Sequence, residues 1–207
     1  SACNYINGRY EASAGARVEI LDPATEAVVG RRAQATVEEI EASVRHANAA
    51  QRLWWAASAL ERAEALHEVS RKLKALRETI GECMTREMGK PFRESTWEGG
   101  AAASSFDYYA ELARHDQGRV AGPAIAGQLH MTLKEPLGVV VSVVPFNYPV
   151  LLFGWQAAAA LAAGNAVIVK PSELTTLTVL LSMGAFEHLP PGLVQVISGG
   201  PDQGRHL

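Results

Sequence analysis

Three short stretches of this sequence combine residue types that do chemistry. Pro145-Phe146-Asn147-Tyr148-Pro149 places one amide between two prolines. Prolines fix their own backbone angles, so the Asn147 side chain is held in a set direction, where its NH2 group can donate to an oxygen that gains negative charge. The same asparagine also suits a turn that merely caps the following helix. Lys170-Pro171-Ser172-Glu173 sets a cation and a carboxylate three residues apart. Together they can hold vicinal hydroxyls, Lys170 donating and Glu173 accepting, which fits the ribose of a nucleotide. A solvated ion pair with Ser172 capping a helix is the plainer alternative. Ser198-Gly199-Gly200-Pro201, followed by Gly204, has little side-chain bulk, so adenine or a phosphate can approach its backbone; glycine is equally ordinary in turns. The GxGxxG dinucleotide fingerprint is absent.

The elements needed to position these stretches are legible. Val139–Val144, Ala166–Val169 and Leu193–Ile197 are short, nearly continuous apolar runs, the pattern of strands buried on both faces. Helical patterns lie between them, from Pro149 to Ala163 and from Thr176 to His188, so the strands should run parallel in a doubly wound α/β sheet. All three stretches then fall at the carboxyl ends of strands, where such sheets bind ligands.

The first half reads as an N-terminal helical region. Tyr5-Ile6-Asn7-Gly8 and Val18-Glu19-Ile20 suggest short peripheral strands with tight turns. Thr36-Val37-Glu38-Glu39 and Ser58-Ala59-Leu60-Glu61 are capping boxes, predicting helices over 37–54 and from Ser58 to Gly89-Lys90-Pro91. Leu66, Val69, Leu73 and Leu76 give the second helix one apolar face. Ser95-Thr96-Trp97-Glu98 suggests the opening of a third helix, through Arg114. From Asp116 to Gly127 periodicity fades, and Gln128–Lys134 alternates like a strand, so a boundary is placed near Gly127. The expected organisation is 1–127 and 142–207 as two parts of one incomplete nucleotide-binding domain, with 128–141 as a connecting arm.

Composition excludes several classes. Nineteen Lys and Arg stand against 22 Asp and Glu, a net charge of −3, which argues against nucleic acid as a partner. The longest apolar stretch, Val150 through Ala163, is interrupted by Gly154 and Gln156 and is too short to span a bilayer. The first residues lack the basic and apolar regions of a secretory signal. Only two cysteines are present, Cys3 and Cys83, so a cytoplasmic location is expected. Neither cysteine nor any of the six histidines shows a metal-ligand spacing, and no metal site is expected.

Taken in order, Glu135-Pro136-Leu137-Gly138-Val139-Val140, Pro145-Phe146-Asn147-Tyr148-Pro149, Ala160-Leu161-Ala162-Ala163-Gly164-Asn165 and Lys170-Pro171-Ser172-Glu173 resemble the aldehyde dehydrogenase superfamily. Asp22-Pro23-Ala24-Thr25, Arg62 with Leu66, and Glu87-Met88-Gly89-Lys90-Pro91 resemble its N-terminal region, so the likeness covers nearly the whole chain.

The resemblance implies NAD(P)-dependent oxidation of an aldehyde to a carboxylic acid, through attack of a cysteine thiolate and hydride transfer to the nicotinamide. By the same likeness Asn147 belongs to an oxyanion hole and Pro145 and Phe146 to the nicotinamide side. Lys170 and Glu173, with Pro171 and Ser172 between them, hold the adenosine ribose, and Gly200 and Gly204 lie near adenine. Glu173 favours NAD over NADP, because it would repel a 2′-phosphate. Residues 128–141 resemble the start of an oligomerisation arm, implying a homodimer or homotetramer. Leu151, Phe153 and Trp155 suggest an apolar approach for the aldehyde, or core positions. Two departures stand out, Phe146 where tryptophan is common and Gln156 where lysine is common. The family's later glutamate motif and nucleophilic cysteine have no counterpart here, and Cys83 lies in a structural segment. The chain alone is therefore expected to be an inactive, truncated portion with a sheet edge left open after its third parallel strand, prone to association. A coenzyme A-acylating enzyme and a non-catalytic nucleotide-binding or structural homologue remain as alternatives.

Overall fold

The computed structural model describes residues 2–115 and 118–207; of the stretch read as aperiodic, Asp116 and Gln117 lie outside the described residues. Two hairpins open the chain. Strands β1 (Cys3–Ile6) and β2 (Arg9–Ala12) pair antiparallel, as do β3 (Arg17–Leu21) and β4 (Val28–Ala33).

Both capping boxes form. Before α1 (Val37–Ala56), Thr36 Oγ1 accepts from the Glu39 amide while the Glu39 carboxylate accepts from the Thr36 amide. Ser58 and Glu61 repeat this at the start of α2 (Ala59–Met88). Each box satisfies amides that a helix start leaves unpaired. Helix α2 ends where Gly89 takes the left-handed conformation, φ 78°, open to glycine at little cost.

The third helix departs from expectation. Helix α3 (Phe92–His115) begins three residues before Ser95. Pro91 restarts the chain at once, its carbonyl accepting from the amides of Glu94 and Ser95. Ser95 and Glu98 therefore sit inside the helix, both fully buried, and Glu98 serves another helix instead of its own.

Beyond α3, strands β5 (Arg119–Ala121) and β6 (His130–Thr132) form an exposed antiparallel hairpin, with Gly127 in the connection between them. Strands β7 (Val139–Val143), β8 (Ala166–Lys170) and β9 (Val194–Val196) follow, alternating with α4 (Pro149–Ala162) and α5 (Thr176–Ser182). A short helix α6 (Pro201–His206) ends the chain. Helix α5 is shorter than its pattern suggests, because the chain tightens at Gly184 into a 3-10 turn, Met183–Ala185.

The parallel α/β arrangement is as expected. The five-stranded order is β2-β1-β9-β8-β7, with β9, β8 and β7 parallel. Register shows how it is covered. Val141, Ile168 and Gln195 form one row, and Gln195 donates to the Ser43 carbonyl of α1. Ser142, Val169 and Val196 form the adjacent row, and Ser142 bonds Gln156 of α4. Adjacent rows point to opposite faces, so α1 and α4 lie on opposite sides of the sheet. Strand β8 is buried at every position, as its unbroken apolar run requires.

The open edge, however, is not β9. Strand β1 pairs antiparallel with β9 through Tyr5 and Val196, and Ser198 bonds both Asn4 and the Cys3 carbonyl. The N-terminal strands, read as peripheral, are thus part of the sheet. Among the described residues the edges of the sheet are β2 and β7, and the parallel side is open at β7, where Val141 and Val143 are exposed.

Candidate functional site

Parallel pairing brings the three chemistry-bearing stretches to one end of the sheet. Val143 pairs with Lys170, the Val144 amide donates to the Lys170 carbonyl at 3.1 Å, and the Ile197 amide donates to the Val169 carbonyl at 2.9 Å. The turns after β7, β8 and β9 therefore open side by side.

At the β8 and β9 ends, the side chains gather closely. Lys170 is buried, with Nζ donating to the Pro171 carbonyl at 3.0 Å. Desolvation pulls its pKa below the ordinary lysine value, opposed by the nearby Glu173 carboxylate. The aliphatic stem of Lys170 runs along α6: a β-carbon on Gly204 would meet Lys170 Cδ at 3.6 Å. A β-carbon on Gly200 would stand 3.0 Å from Glu173 Oε2. Both glycines thus keep a shallow cradle open beside Lys170 and Glu173. Ser172 does not cap α5; it forms a local turn, accepting from the Leu174 amide, while Pro171 is buried beneath.

Arg32 of β4 joins this cluster, and nothing in its sequence context marks it. Its Nη2 lies 3.8 Å from Glu173 Oε2, and its buried Nη1 has no hydrogen-bond partner among the described residues. An unpartnered guanidinium nitrogen beside a half-exposed carboxylate is what a site for a polar ligand provides.

At the β7 end, Phe146 and Asn147 are exposed. The Asn147 side-chain amide has no hydrogen-bond partner among the described residues, whereas its backbone carbonyl accepts from Lys90 Nζ at 3.0 Å. Asn147 is not the cap of α4. That position belongs to Tyr148, which makes no side-chain cap bond, and the first amides are met from outside. Glu98 Oε1 accepts from Val150 N at 2.9 Å and Leu151 N at 3.1 Å, while Glu98 Oε2 pairs with Lys90 at 2.5 Å. The only advance sign of Lys90 was the Glu87-Met88-Gly89-Lys90-Pro91 stretch; Glu98 gave a misleading one. Of the residues suggested for an apolar approach, Leu151 and Phe153 are core, and Trp155 is half exposed near Tyr108 and Tyr109.

Cys83 is poorly suited to act as a nucleophile. Burial raises its thiol pKa to about 11, with Glu87 adding to the effect, so the thiolate is scarce near neutral pH. Cys3 and Cys83 are both unpaired. Among the described residues, no group of three or more His, Cys, Asp or Glu is placed to hold a metal, and no helix is long and apolar enough to cross a membrane.

The sequence profile of the aldehyde dehydrogenase family matches residues 10–207. The chain belongs to the aldehyde dehydrogenase family. It is 35% identical to aminoaldehyde dehydrogenase 2, peroxisomal, of Pisum sativum, and 36% identical to betaine aldehyde dehydrogenase 1 of Oryza sativa subsp. japonica. Each alignment covers 98% of this chain and 43% of the relative. A betaine aldehyde dehydrogenase from Staphylococcus aureus, solved in complex with NAD+, superposes with a TM-score of 0.92 at 30% identity, over 98% of this chain and 41% of the other. This aldehyde dehydrogenase chain therefore spans less than half the length of the relatives it matches.

Proposed function

We propose that this chain supplies the dinucleotide cradle and one oxyanion donor of an NAD(P)-dependent aldehyde dehydrogenase that forms a carboxylic acid. The observation that carries this reading is the convergence of Lys170, Glu173, Gly200 and Gly204 at one strand end, adjacent to the Asn147 turn, in a member of this family. The residues fit a nucleotide. Arg32 has a buried nitrogen in need of an acceptor, Gly200 leaves room where a β-carbon would crowd Glu173, and Gly204 leaves open space against the Lys170 stem.

Lys170 donates to the adenosine ribose and Glu173 accepts from it, with Pro171 and Ser172 shaping the turn and Gly200 and Gly204 admitting adenine. Pro145 and Phe146 border the nicotinamide side. When bound, the nicotinamide serves as a two-electron hydride acceptor. Asn147 presents its free amide to the aldehyde oxygen, stabilising the charge that grows as a nucleophile from outside these residues attacks the carbonyl. Glu173 favours NAD, with NADP still accommodated beside Arg32. Residues 128–141, which include β6 of the exposed hairpin and turn Leu129 and Met131 to solvent, serve as the start of an oligomerisation arm toward a second copy of the chain, in a dimer or tetramer. Two unpaired cysteines suit a reducing compartment such as the cytoplasm.

Calorimetric titration of the chain with NAD tests the cradle. Lys170→Met and Glu173→Gln should each weaken binding roughly tenfold or more, the loss of a charged hydrogen bond. Binding that is indifferent to both changes would refute the assignment.

A further inference from the structure

We propose that Lys90 and Glu98 position Asn147, setting the orientation of its amide from the junction of α2 and α3. The functional consequence rests on the reading of Asn147 as an oxyanion donor; the positioning itself rests on geometry.

Lys90 and Glu98 are both buried, Glu98 completely. A buried ammonium is costly unless each of its donors is used. Here they are, and each goes to the Asn147 turn or to what holds it. One meets the Glu98 carboxylate, one meets the Asn147 carbonyl, and the ammonium stands 3.6 Å from the centroid of the Tyr148 ring, a cation–π contact. Glu98 extends the grip by accepting from the Val150 and Leu151 amides. Residues 147, 148, 150 and 151 are thus tied to one buried ion pair.

The turn has few other restraints that could replace it. Prolines at 145 and 149 fix two backbone angles, and Tyr148, kept out of the helical region by the proline that follows, takes φ −140° and ψ 64°. The orientation of the peptide plane between Asn147 and Tyr148 is left, and the Lys90 bond to the Asn147 carbonyl sets it. The side chain of Asn147 leaves the same residue whose carbonyl is pinned, so a shift of that residue carries the amide with it. Lys90 and Glu98 touch no substrate in this arrangement; they act through Asn147.

Lys90→Met and Lys90→Arg, each alone and combined with Asn147→Ala, test the proposal in the dehydrogenase that contains this chain. Lys90→Met should lower kcat roughly 100-fold, the scale of a misplacement near 1 Å, while KM for NAD stays within about twofold. On the Asn147→Ala background the same change should cost less than about threefold, because the residue it acts through is gone. Lys90→Arg, which keeps a donor for the carbonyl, should recover most of the rate. An equal loss in both backgrounds would overturn positioning and leave a structural role. Failure of the oxyanion reading shows separately, as Asn147→Ala with undiminished kcat. Positioning is then decided on the nitrogen-15-labelled chain. The side-chain NH2 resonances of Asn147 should move in Lys90→Met while those of α1 amides hold still, the latter also reporting that the variant folds. Unmoved Asn147 resonances would overturn the proposal whatever the kinetics.

Discussion

Glu87 and Thr178 lie 91 positions apart, yet Glu87 Oε2 accepts from both the amide and the hydroxyl of Thr178, at 2.8 and 2.5 Å. The other oxygen accepts from Leu177 N at 2.7 Å, so a side chain of α2 caps the start of α5. Glu98 does the same for α4. Both crossover helices of the parallel sheet are therefore anchored by carboxylates from the N-terminal helices, and those helices belong to the same folding unit as the sheet.

Burial makes the Glu87 cap dependent on pH. Desolvation raises its carboxyl from the ordinary 4.5 to about 7, against the pull of the bonds from Thr178 and Leu177. Between those values the folded chain holds a proton that the unfolded chain has released, so this group's contribution to stability falls as pH rises through the window. Glu87→Gln keeps an acceptor without the buried charge. Its melting temperature relative to the parent should rise between about pH 5 and about pH 8; a pH-independent difference would show that the charge is not what costs stability.

His67 carries the same sign from a different cause. Its ring nitrogens meet Asp107 at 2.9 Å and Glu111 at 2.8 Å, joining α2 to α3, and Ser70 and Lys74 also bond Asp107. Arg114 lies 3.6 Å from Glu111. The bond to Asp107 first, and that to Glu111 next, raise the His67 pKa above its ordinary 6.5. A raised histidine stabilises fully below its unfolded value and loses that contribution as pH rises through the folded one. His67→Ala should therefore lower the melting temperature more at about pH 5.5 than at about pH 9. Thermal scans across that range settle the sign.

Much of this was legible in the sequence, for identifiable reasons. The three parallel strands announced themselves because burial on both faces leaves few polar positions, as in the apolar run Ala166–Val169. The first two helices did so because capping boxes are local signals. Glu98 misled for the same reason: Ser95 and Glu98 have capping-box spacing, but Pro91 had already started the helix. Pairing of β1 with β9 joins residues about 190 positions apart, and no local pattern encodes such a contact. Lys170, Glu173 and Gly200 could be singled out as candidates because they lie at or just beyond strand ends, where ligands bind in such sheets. Arg32 lies within a strand far away in the chain and became visible only in three dimensions.

The Arg32–Glu173 contact bears on cofactor choice, under the reading that ribose is held here. Glu173 repels a 2′-phosphate, and Arg32, 3.8 Å from it, attracts one. Glu173→Gln should narrow the preference for NAD over NADP by roughly tenfold. Arg32→Ala should weaken NADP more than NAD. Parallel titrations with both dinucleotides measure the two ratios, and equal losses for both cofactors would exclude a role in discrimination.

The edge at β7 should govern self-association of the isolated chain. Val143 is 59% exposed on a strand with no outer neighbour among the described residues. A charged residue on an open edge discourages pairing with another chain. Val143→Lys should reduce the associated fraction in sedimentation velocity at equal protein concentration, whereas Leu53→Lys, at an exposed position of α1 away from either sheet edge, should matter less. Equal effects would point away from the β7 edge.

Gly164 ends α4 at φ 90°, where a β-carbon would also come within 2.5 Å of Trp55 Cε3. Its carbonyl accepts from Gln51 Nε2 at 2.9 Å, tying the end of α4 to α1, so the backbone has little freedom to relax. Gly164→Ala adds left-handed strain to a steric conflict that a shift of the half-exposed indole only partly relieves. The expected loss is roughly 1–3 kcal/mol. Gly100 gives the contrast: it lies within α3 with nothing within 4 Å of its would-be β-carbon. There alanine should stabilise by roughly 0.5–1 kcal/mol, through helix propensity alone. Urea unfolding of both variants should move the midpoint in opposite directions; a shift of the same sign would show that conformation at Gly164 is not limiting.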